Sequence, residues 1–428
     1  MNKLIKHIRS RWASLGPGLI TGASDDDPSG IATYSQAGAG FGLATLWTAL
    51  ITYPLMVAVQ EMCARIGLVT RQGLAGIIKK HYPRWLLYAM IVFTFPAITF
   101  NIGADIAGMG AVANLLIPQV PVEIFSVFFM AILILCIVFF SYQRIAAIMK
   151  WLCIILFVYF IVPFLVLKDW EQVFLAAITP DIEWNREFII ILVAILGTTI
   201  SPYLFFWQTS MYIEEMNHRQ RKMKVIVIDR EIEIVDHPNI HELKEMRFDV
   251  NIGMAFSNLV MFFIILTTGT VLYNGEIYEI ETVQQAAEAL RPLAGKYAYF
   301  LFALGILGTG FLAIPVLAGS LSYILAETFD WPQGMDKKFY EAKGFYITMI
   351  VSMLIALTIN FTNFSPIEAL IYTAVVYGIT APILIAIILH ICNNEKIMGR
   401  HTNSRMSNVF GMLAFVIMSA AALALIFI

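Results

Sequence analysis

The sequence predicts an all-α protein that crosses a membrane about eleven times. Three observations carry this. The chain has 428 residues, of which 59% are hydrophobic and 14% charged, whereas soluble domains are about a quarter charged. Apolar stretches of roughly 20 residues, the length that crosses the hydrocarbon core, recur along it. The connections between them alternate sharply in Lys and Arg, the bias that orients membrane proteins.

Residues 1–14 are basic and lead into no short apolar core with a small-residue cleavage site, so they read as a cytoplasmic tail rather than a signal peptide. Spans follow at 15–41, 43–66, 86–116, 122–142, 146–167, 187–214, 249–274, 298–326, 344–360, 365–391 and 407–428. With the N-terminus inside, only Lys168, Arg186, Arg291 and Lys296 of the 28 Lys and Arg fall outside. An odd number of spans then puts the C-terminus on the extracytoplasmic side. The longest connection, 215–248, is charged; "KVIVIDREIEIV" within it alternates as a short hairpin would, although a flexible insertion is the plainer expectation. "IETVQQAAEALRPLAG" reads as an amphipathic helix lying at the outer surface. Glu61, Glu214 and Glu215 lie near cytoplasmic ends, where pairing with loop Arg or Lys is expected.

The net charge of −2 gives no sign of nucleic-acid binding. The four cysteines, Cys63, Cys136, Cys153 and Cys392, form no CxxC pair and lie in or beside apolar spans. They read as core thiols rather than a disulfide framework or a zinc site.

Span 1 contains "DDDPSG", residues 25–30. A central Asp opposes insertion by roughly 2.5–3.5 kcal/mol, while each flanking Leu, Ile or Val contributes only about 0.3–0.6 kcal/mol. Three acids at this depth require a polar cavity, a partner or an unwound helix. Pro28 and Gly30 supply the unwinding, one by lacking an N–H and the other by tolerating unusual backbone angles. Span 6, "ILVAILGTTISPYLFFWQTSMY", is interrupted at a matching depth by Gly197, Thr198, Thr199, Ser201 and Pro202. Broken helices in corresponding places point to a midplane site between two inverted halves of five spans, here 15–168 and 187–392, with 407–428 as an eleventh helix. Freed carbonyls and carboxylates are hard oxygen ligands, which suits a cation. Asp27 is the first candidate ligand, alone or while also capping the second half-helix. Asp25 and Asp26 are expected at the cavity mouth, attracting cations or holding hydrated metal, or else as caps or paired elsewhere. Asp105 in "NIGADIAG" is a buried acid and therefore a functional candidate, with Asn101 or a water as partner.

These residues resemble the Nramp family of divalent-metal transporters. "GPGLITGASDDDPSGIATYSQAGAGFGLATLW" resembles that family's first span, and "ARIGLVTRQGLAGIIKKHYPRW", "GADIAGMGAVANLL", "GTTISPYLFFWQ" and "LFALGILGTGFLAIPVLAGSLSYILAE" resemble its loop after span 2 and its spans 3, 6 and 8. The resemblance runs from about residue 15 to 392. It implies a LeuT-like inverted repeat with metal bound between spans 1 and 6. Carried over position by position, the family Asp is kept as Asp27, and the family's carbonyl ligands fall on Ser24 and Thr198. Its Asn ligand falls on Gly30, its Met on Ser201, its span 6 His on Tyr203 and its span 10 Gln on Ala374. Its span 3 acidic pair becomes Ile102 and Asp105, and span 9 lacks the usual arginine.

Loss of the sulfur ligand removes the preference for soft transition metals. The thinned set of titratable groups resembles the Nramp-related magnesium transporters, a branch without proton coupling. A proton-coupled manganese or iron carrier is the alternative. A Na+-coupled organic-solute carrier of the same fold would find three acids a poor partner for a substrate carboxylate. An intramembrane prenyltransferase would need a second Asp-rich motif, which is missing. The expectation is thus a multi-pass prokaryotic inner-membrane transporter, not an enzyme. The metal is cargo rather than cofactor, the lipid bilayer is its surroundings, and no nucleic-acid or protein partner is evident.

Overall fold

The computed structural model describes residues 16–140, 158–226, 240–361 and 365–427. The predicted tail 1–14, most of predicted span 5 and Cys153 lie outside these, as does most of the predicted hairpin.

Every long element among the described residues is helical. Span 1 is two half-helices, α1 (Pro17–Asp25) and α2 (Pro28–Phe41). α3 (Trp47–Thr70), α4 (Leu74–His81), α5 (Arg84–Leu116) and α6 (Val122–Phe139) follow. α7 (Val158–Val166) is the described end of span 5, and α8 (Trp170–Ile178) links it to span 6. Span 6 is again divided, into α9 (Arg186–Thr199) and α10 (Pro202–Ile226). α11 (Ile240–Val271), the short α12 (Val283–Glu288) and α13 (Arg291–Ala294), α14 (Ala298–Phe329), α15 (Lys343–Leu357), α16 (Pro366–Asn393), α17 (Glu395–Met398) and α18 (Arg405–Phe427) complete the chain. Nine helical segments among the described residues are long and apolar enough to span a bilayer. The broken span 1 and the partly described span 5 account for the other two predicted spans.

Both breaks share one design. Two residues separate the half-helices, and the second half begins on a proline, Pro28 or Pro202. Proline fits there because the first helical N–H has no intrahelical partner and its φ is already helical. α11 lies along both halves of span 1 at backbone distance: a Cβ on Gly22 would stand 2.1 Å from the Gly253 carbonyl oxygen. Lipid-facing positions on α6 and α18, including Phe128, Leu135, Met412 and Val416, are exposed. On a protein in water they would be an extended apolar patch; in a bilayer they face acyl chains.

The connection 215–248 is less of an insertion than expected, because α10 runs on to Ile226 and α11 begins at Ile240. Glu61 pairs with Arg247 at 2.8 Å, as predicted for a loop cation. Among the described residues Glu214 forms no salt bridge. It accepts from the Tyr323 hydroxyl and, at 2.8 Å, from the Met335 amide, and so anchors the turn after α14. Glu327 accepts from the Gly76 amide at 2.9 Å, at the start of α4. The predicted surface helix is α12 and α13, with Ala286, Ala287 and Leu290 turned inward. The strand-like stretch before it is held to α2 by Gln36, whose amide donates to Tyr278 O at 3.1 Å and accepts from Ile280 N at 2.8 Å.

α1 has no cap of its own, because Gly16 offers no side chain. Asp249 of α11 takes that role, accepting from the amides of Gly16, Gly18 and Leu19 at 2.9, 2.8 and 3.2 Å and from the Tyr212 hydroxyl at 2.8 Å. A carboxylate on three free amides at a helix N-terminus is favourable in both hydrogen bonding and dipole terms. Asp249→Ala is expected to destabilise the protein by about 1–2 kcal/mol, seen as a lower melting temperature and faster amide exchange confined to 17–25. Unchanged exchange there would mean the cap is dispensable.

Candidate metal centre

The site is built where the breaks of spans 1 and 6 face each other. Asp27 is extended (φ −68°, ψ 173°) and caps α2, as expected. Its Oδ1 accepts from the Gly30 amide at 2.8 Å and from the Ser29 hydroxyl at 2.6 Å; Oδ2 accepts from Asn101 Nδ2 of α5 at 3.0 Å. The carboxylate is thus held from both sides at 1% exposure.

The other break is satisfied through its carbonyls. Ser201 donates to Thr198 O at 2.7 Å and lies 3.2 Å from Gly197 O, so its hydroxyl steadies the frayed end of α9. Its lone pairs and those of the Thr198 carbonyl remain available to a cation. Tyr203, on the first turn of α10, donates to Ser24 O at 3.0 Å and joins the two broken spans directly. Gly30 lies in the notch between them: a Cβ there would be 3.2 Å from Thr198 Oγ1 and 3.3 Å from Asp25 O. Asp27, Ser24, Gly30, Thr198, Ser201 and Tyr203 therefore surround one junction. Ala374 is buried where α16 meets α9, its carbonyl against Gly197.

Of the alternatives for Asp25 and Asp26, the structure shows partners elsewhere. The two acids are buried rather than placed at a cavity mouth, and both turn toward α11. Asp25 Oδ2 accepts from Ser257 Oγ at 2.7 Å, and Asp26 Oδ1 lies 3.3 Å from the same hydroxyl. Asp25 is the last residue of α1 and Asp26 its C-cap, and at this end of the half-helix α11 supplies the neighbouring hydroxyl. Asp105 is buried behind Asp27, but Asn101 gives its amide to Asp27 and not to Asp105, contrary to the expected partner. Ile102 is buried in the apolar core.

One residue was assigned to the wrong acid and another was missed. Asn101 carries no pattern that marks it as a partner of an aspartate 74 residues away. Tyr377 of α16 packs at a tilt against Tyr203 with ring centroids 5.7 Å apart and stands near Asp27 and Asp105. Among the described residues no salt bridge reaches any of the four acids, and no three His, Cys, Asp or Glu converge on one point. A cation here is left with oxygens drawn from carbonyls, hydroxyls and a single carboxylate of the junction.

The geometry defines a polytopic membrane protein with a buried oxygen-lined site between two discontinuous helices. A family model described as natural resistance-associated macrophage protein-like, Nramp, matches residues 18–428, and the chain belongs to that family. Among relatives, it is 23% identical over 409 residues to the divalent metal cation transporter MntH of Caldanaerobacter subterraneus subsp. tengcongensis, covering 93% of this chain and 89% of that protein. To the MntH of Verminephrobacter eiseniae it is 24% identical over 420 residues, covering 95% and 88%. The fold matches the crystal structure of an Eremococcus coleocola manganese transporter with a TM-score of 0.73 at 20% identity, over 97% of this chain and 86% of that one. The all-helical LeuT-like arrangement with broken spans 1 and 6 is thus the fold of this chain.

Tyr203→Phe removes the hydroxyl that satisfies Ser24 O while keeping the ring on Tyr377. An expected loss of about 1–3 kcal/mol follows from leaving a buried carbonyl unpaired. A melting curve equal to that of the wild type would show that the bridge carries no stability.

Proposed function

We propose that this chain is a secondary transporter that moves divalent metal cations, Mg2+ first and Mn2+ second, across a prokaryotic inner membrane without obligatory proton coupling. It is a transporter and not an enzyme. The observation that carries the reading is Asp27, a carboxylate held at a helix break with no cation paired to it among the described residues. Asp27, Ser24 O, Thr198 O and Ser201 are the proposed ligands. Gly30 contributes no side-chain ligand, so water makes up that part of the ion's shell.

Membership of the Nramp family and the names of the relatives favour a divalent metal. The preference within that class follows from chemistry. Gly30, Ser201 and Ala374 stand where the resemblance places an amide, a thioether and a second amide. Six protein ligands are not available, so the ion keeps several waters. Mg2+ dehydrates reluctantly and suits such a site; Mn2+ tolerates oxygen ligands as well. Tyr203 in place of an imidazole removes the side chain that titrates near neutral pH. In this reading the two repeats are 15–168 and 187–392, 407–428 is the eleventh helix, the N-terminus is cytoplasmic and the C-terminus extracytoplasmic.

Asp27→Ala is expected to abolish uptake in proteoliposomes while leaving a monodisperse, folded protein. In the wild type, Mg2+ should compete with Mn2+ at comparable concentrations, Cd2+ should gain no special advantage, and the internal pH should stay constant during influx. Stoichiometric acidification, or strong Cd2+ or Fe2+ selectivity over excess Mg2+, would instead assign the chain to the proton-coupled manganese and iron carriers. Gly30→Asn returns an oxygen ligand to a notch in which Thr198 must give by a few tenths of an ångström. It should displace a water and shift competition toward Mn2+; an unchanged Mg2+ to Mn2+ ratio would argue that residue 30 does not face the ion.

A further inference from the structure

Around Asp27 the structure gathers buried oxygens that lack a hydrogen-bond partner. Neither carboxylate oxygen of Asp105 has a hydrogen-bond partner. The Ser29 amide faces this carboxylate from outside hydrogen-bonding geometry. Asn101, one turn earlier on α5 and therefore on the same face, uses its Nδ2 on Asp27 and leaves Oδ1 without a partner. Its orientation is fixed by chemistry, because only the donor end of an amide can face a carboxylate. The Tyr377 hydroxyl, from α16, lies close to Asn101 but outside hydrogen-bonding geometry. All three residues are at most 1% exposed.

Buried polar atoms in folded proteins are almost always satisfied, and clustered exceptions call for a ligand. Here three helices, α2, α5 and α16, bring together an unpaired carboxylate, an amide oxygen, a phenolic oxygen and the Oδ2 edge of Asp27. Every unserved atom can accept, and the one that can also donate, Tyr377, can rotate its proton away. Sulfur and imidazole are absent from the set. Hard oxygen donors of this kind select a hydrated Mg2+ or Mn2+. A single proton on Asp105, even one donated to Asn101 Oδ1, would leave the second carboxylate oxygen without a donor.

We propose that Asp105, Asn101 and Tyr377, with the Oδ2 face of Asp27, form a second cation station next to the junction site, through which the hydrated ion passes. This rests on the reading that Asp27 holds the transported metal. The two stations share Asp27, so an ion can be handed from one set of oxygens to the other without the carboxylate leaving its cap on α2. Asp105 belongs to the transport path as an ion ligand, and Asn101 both positions Asp27 and contributes its own oxygen.

The test uses the full-length purified protein with MnCl2 and MgCl2 as probes, and variants Asp105→Asn, Tyr377→Phe and Asp27→Ala. Asp105→Asn removes an uncompensated buried carboxylate, so the metal-free protein should melt at or above the wild-type temperature. Its upward melting shift on adding either metal should shrink, and its KM for Mn2+ in proteoliposomes should rise about 10–100-fold, the range seen when a group supporting a metal site is lost. Tyr377→Phe should raise KM by about two- to five-fold, in line with one hydrogen-bonding group. Wild-type KM and metal-induced shift in both variants, with Asp27→Ala inactive, would overturn the second station and leave the junction site standing. An altered vesicle acidification in Asp105→Asn with KM untouched would also overturn it, by making Asp105 a proton carrier. Uptake by Asp27→Ala would instead remove the reading on which the station rests.

Discussion

Four carboxylates, those of Asp25, Asp26, Asp27 and Asp105, sit at the middle of this bundle with at most 1% exposure and no salt bridge among the described residues. Transferring an ionised group from water to such a place is strongly unfavourable unless it is paired or coordinated. The rest of the architecture follows from meeting that demand. Span 1 is broken so that Asp27 can accept from the amides and hydroxyl of its own second half. α11 supplies Ser257 to Asp25 and Asp26, and α5 supplies Asn101 to Asp27. One hydroxyl cannot donate to two carboxylates at once, so even this support is incomplete. In the proposed reading, a divalent ion is the entity whose charge the site receives.

The two breaks solve the same problem in opposite senses. In span 1 the exposed amides are met by a carboxylate that arrives one residue before Pro28. In span 6 the exposed carbonyls are met by the Ser201 hydroxyl just before Pro202. Tyr203 then joins them by donating across to Ser24 O. The junction is therefore organised before any ion enters, and the groups that would bind it are already held in place. Such preorganisation lowers the entropic loss on binding. At the far ends, Asp249 on α1 and Gln36 on the stretch before α12 tie down the two pieces of chain that border the broken spans.

Much of this was legible in the sequence. Hydrophobic run length located the spans, and Pro28, Gly30 and Pro202 located the breaks. The Asp-Pro-Ser-Gly order foretold the cap of Asp27, because capping is a contact of residues two or three apart. Glu61 with Arg247 followed from the tendency of an acid near a helix end to find a loop cation. What stayed hidden depends on partners distant in the chain. Asp249 caps a helix more than two hundred residues earlier, and nothing in "RFDVNIG" announces it. Glu214, expected to meet a loop cation, instead holds the Met335 amide, and nothing in the sequence around Glu327 marks it as the acceptor of the Gly76 amide. Asp25 and Asp26 have the same composition as Asp27 but leave the helix in another direction, and direction is a property of the break's dihedral angles rather than of its letters.

The central claim is that a metal at this junction is held by few protein oxygens and keeps much of its water. Pulsed electron paramagnetic resonance of Mn2+ bound to the purified protein, compared in H2O and D2O, counts the coordinated waters directly. The account predicts that about half or more of the six octahedral positions remain water, and that Asp27→Ala abolishes the bound signal. A Mn2+ with one water or none, enclosed by protein ligands, would contradict it.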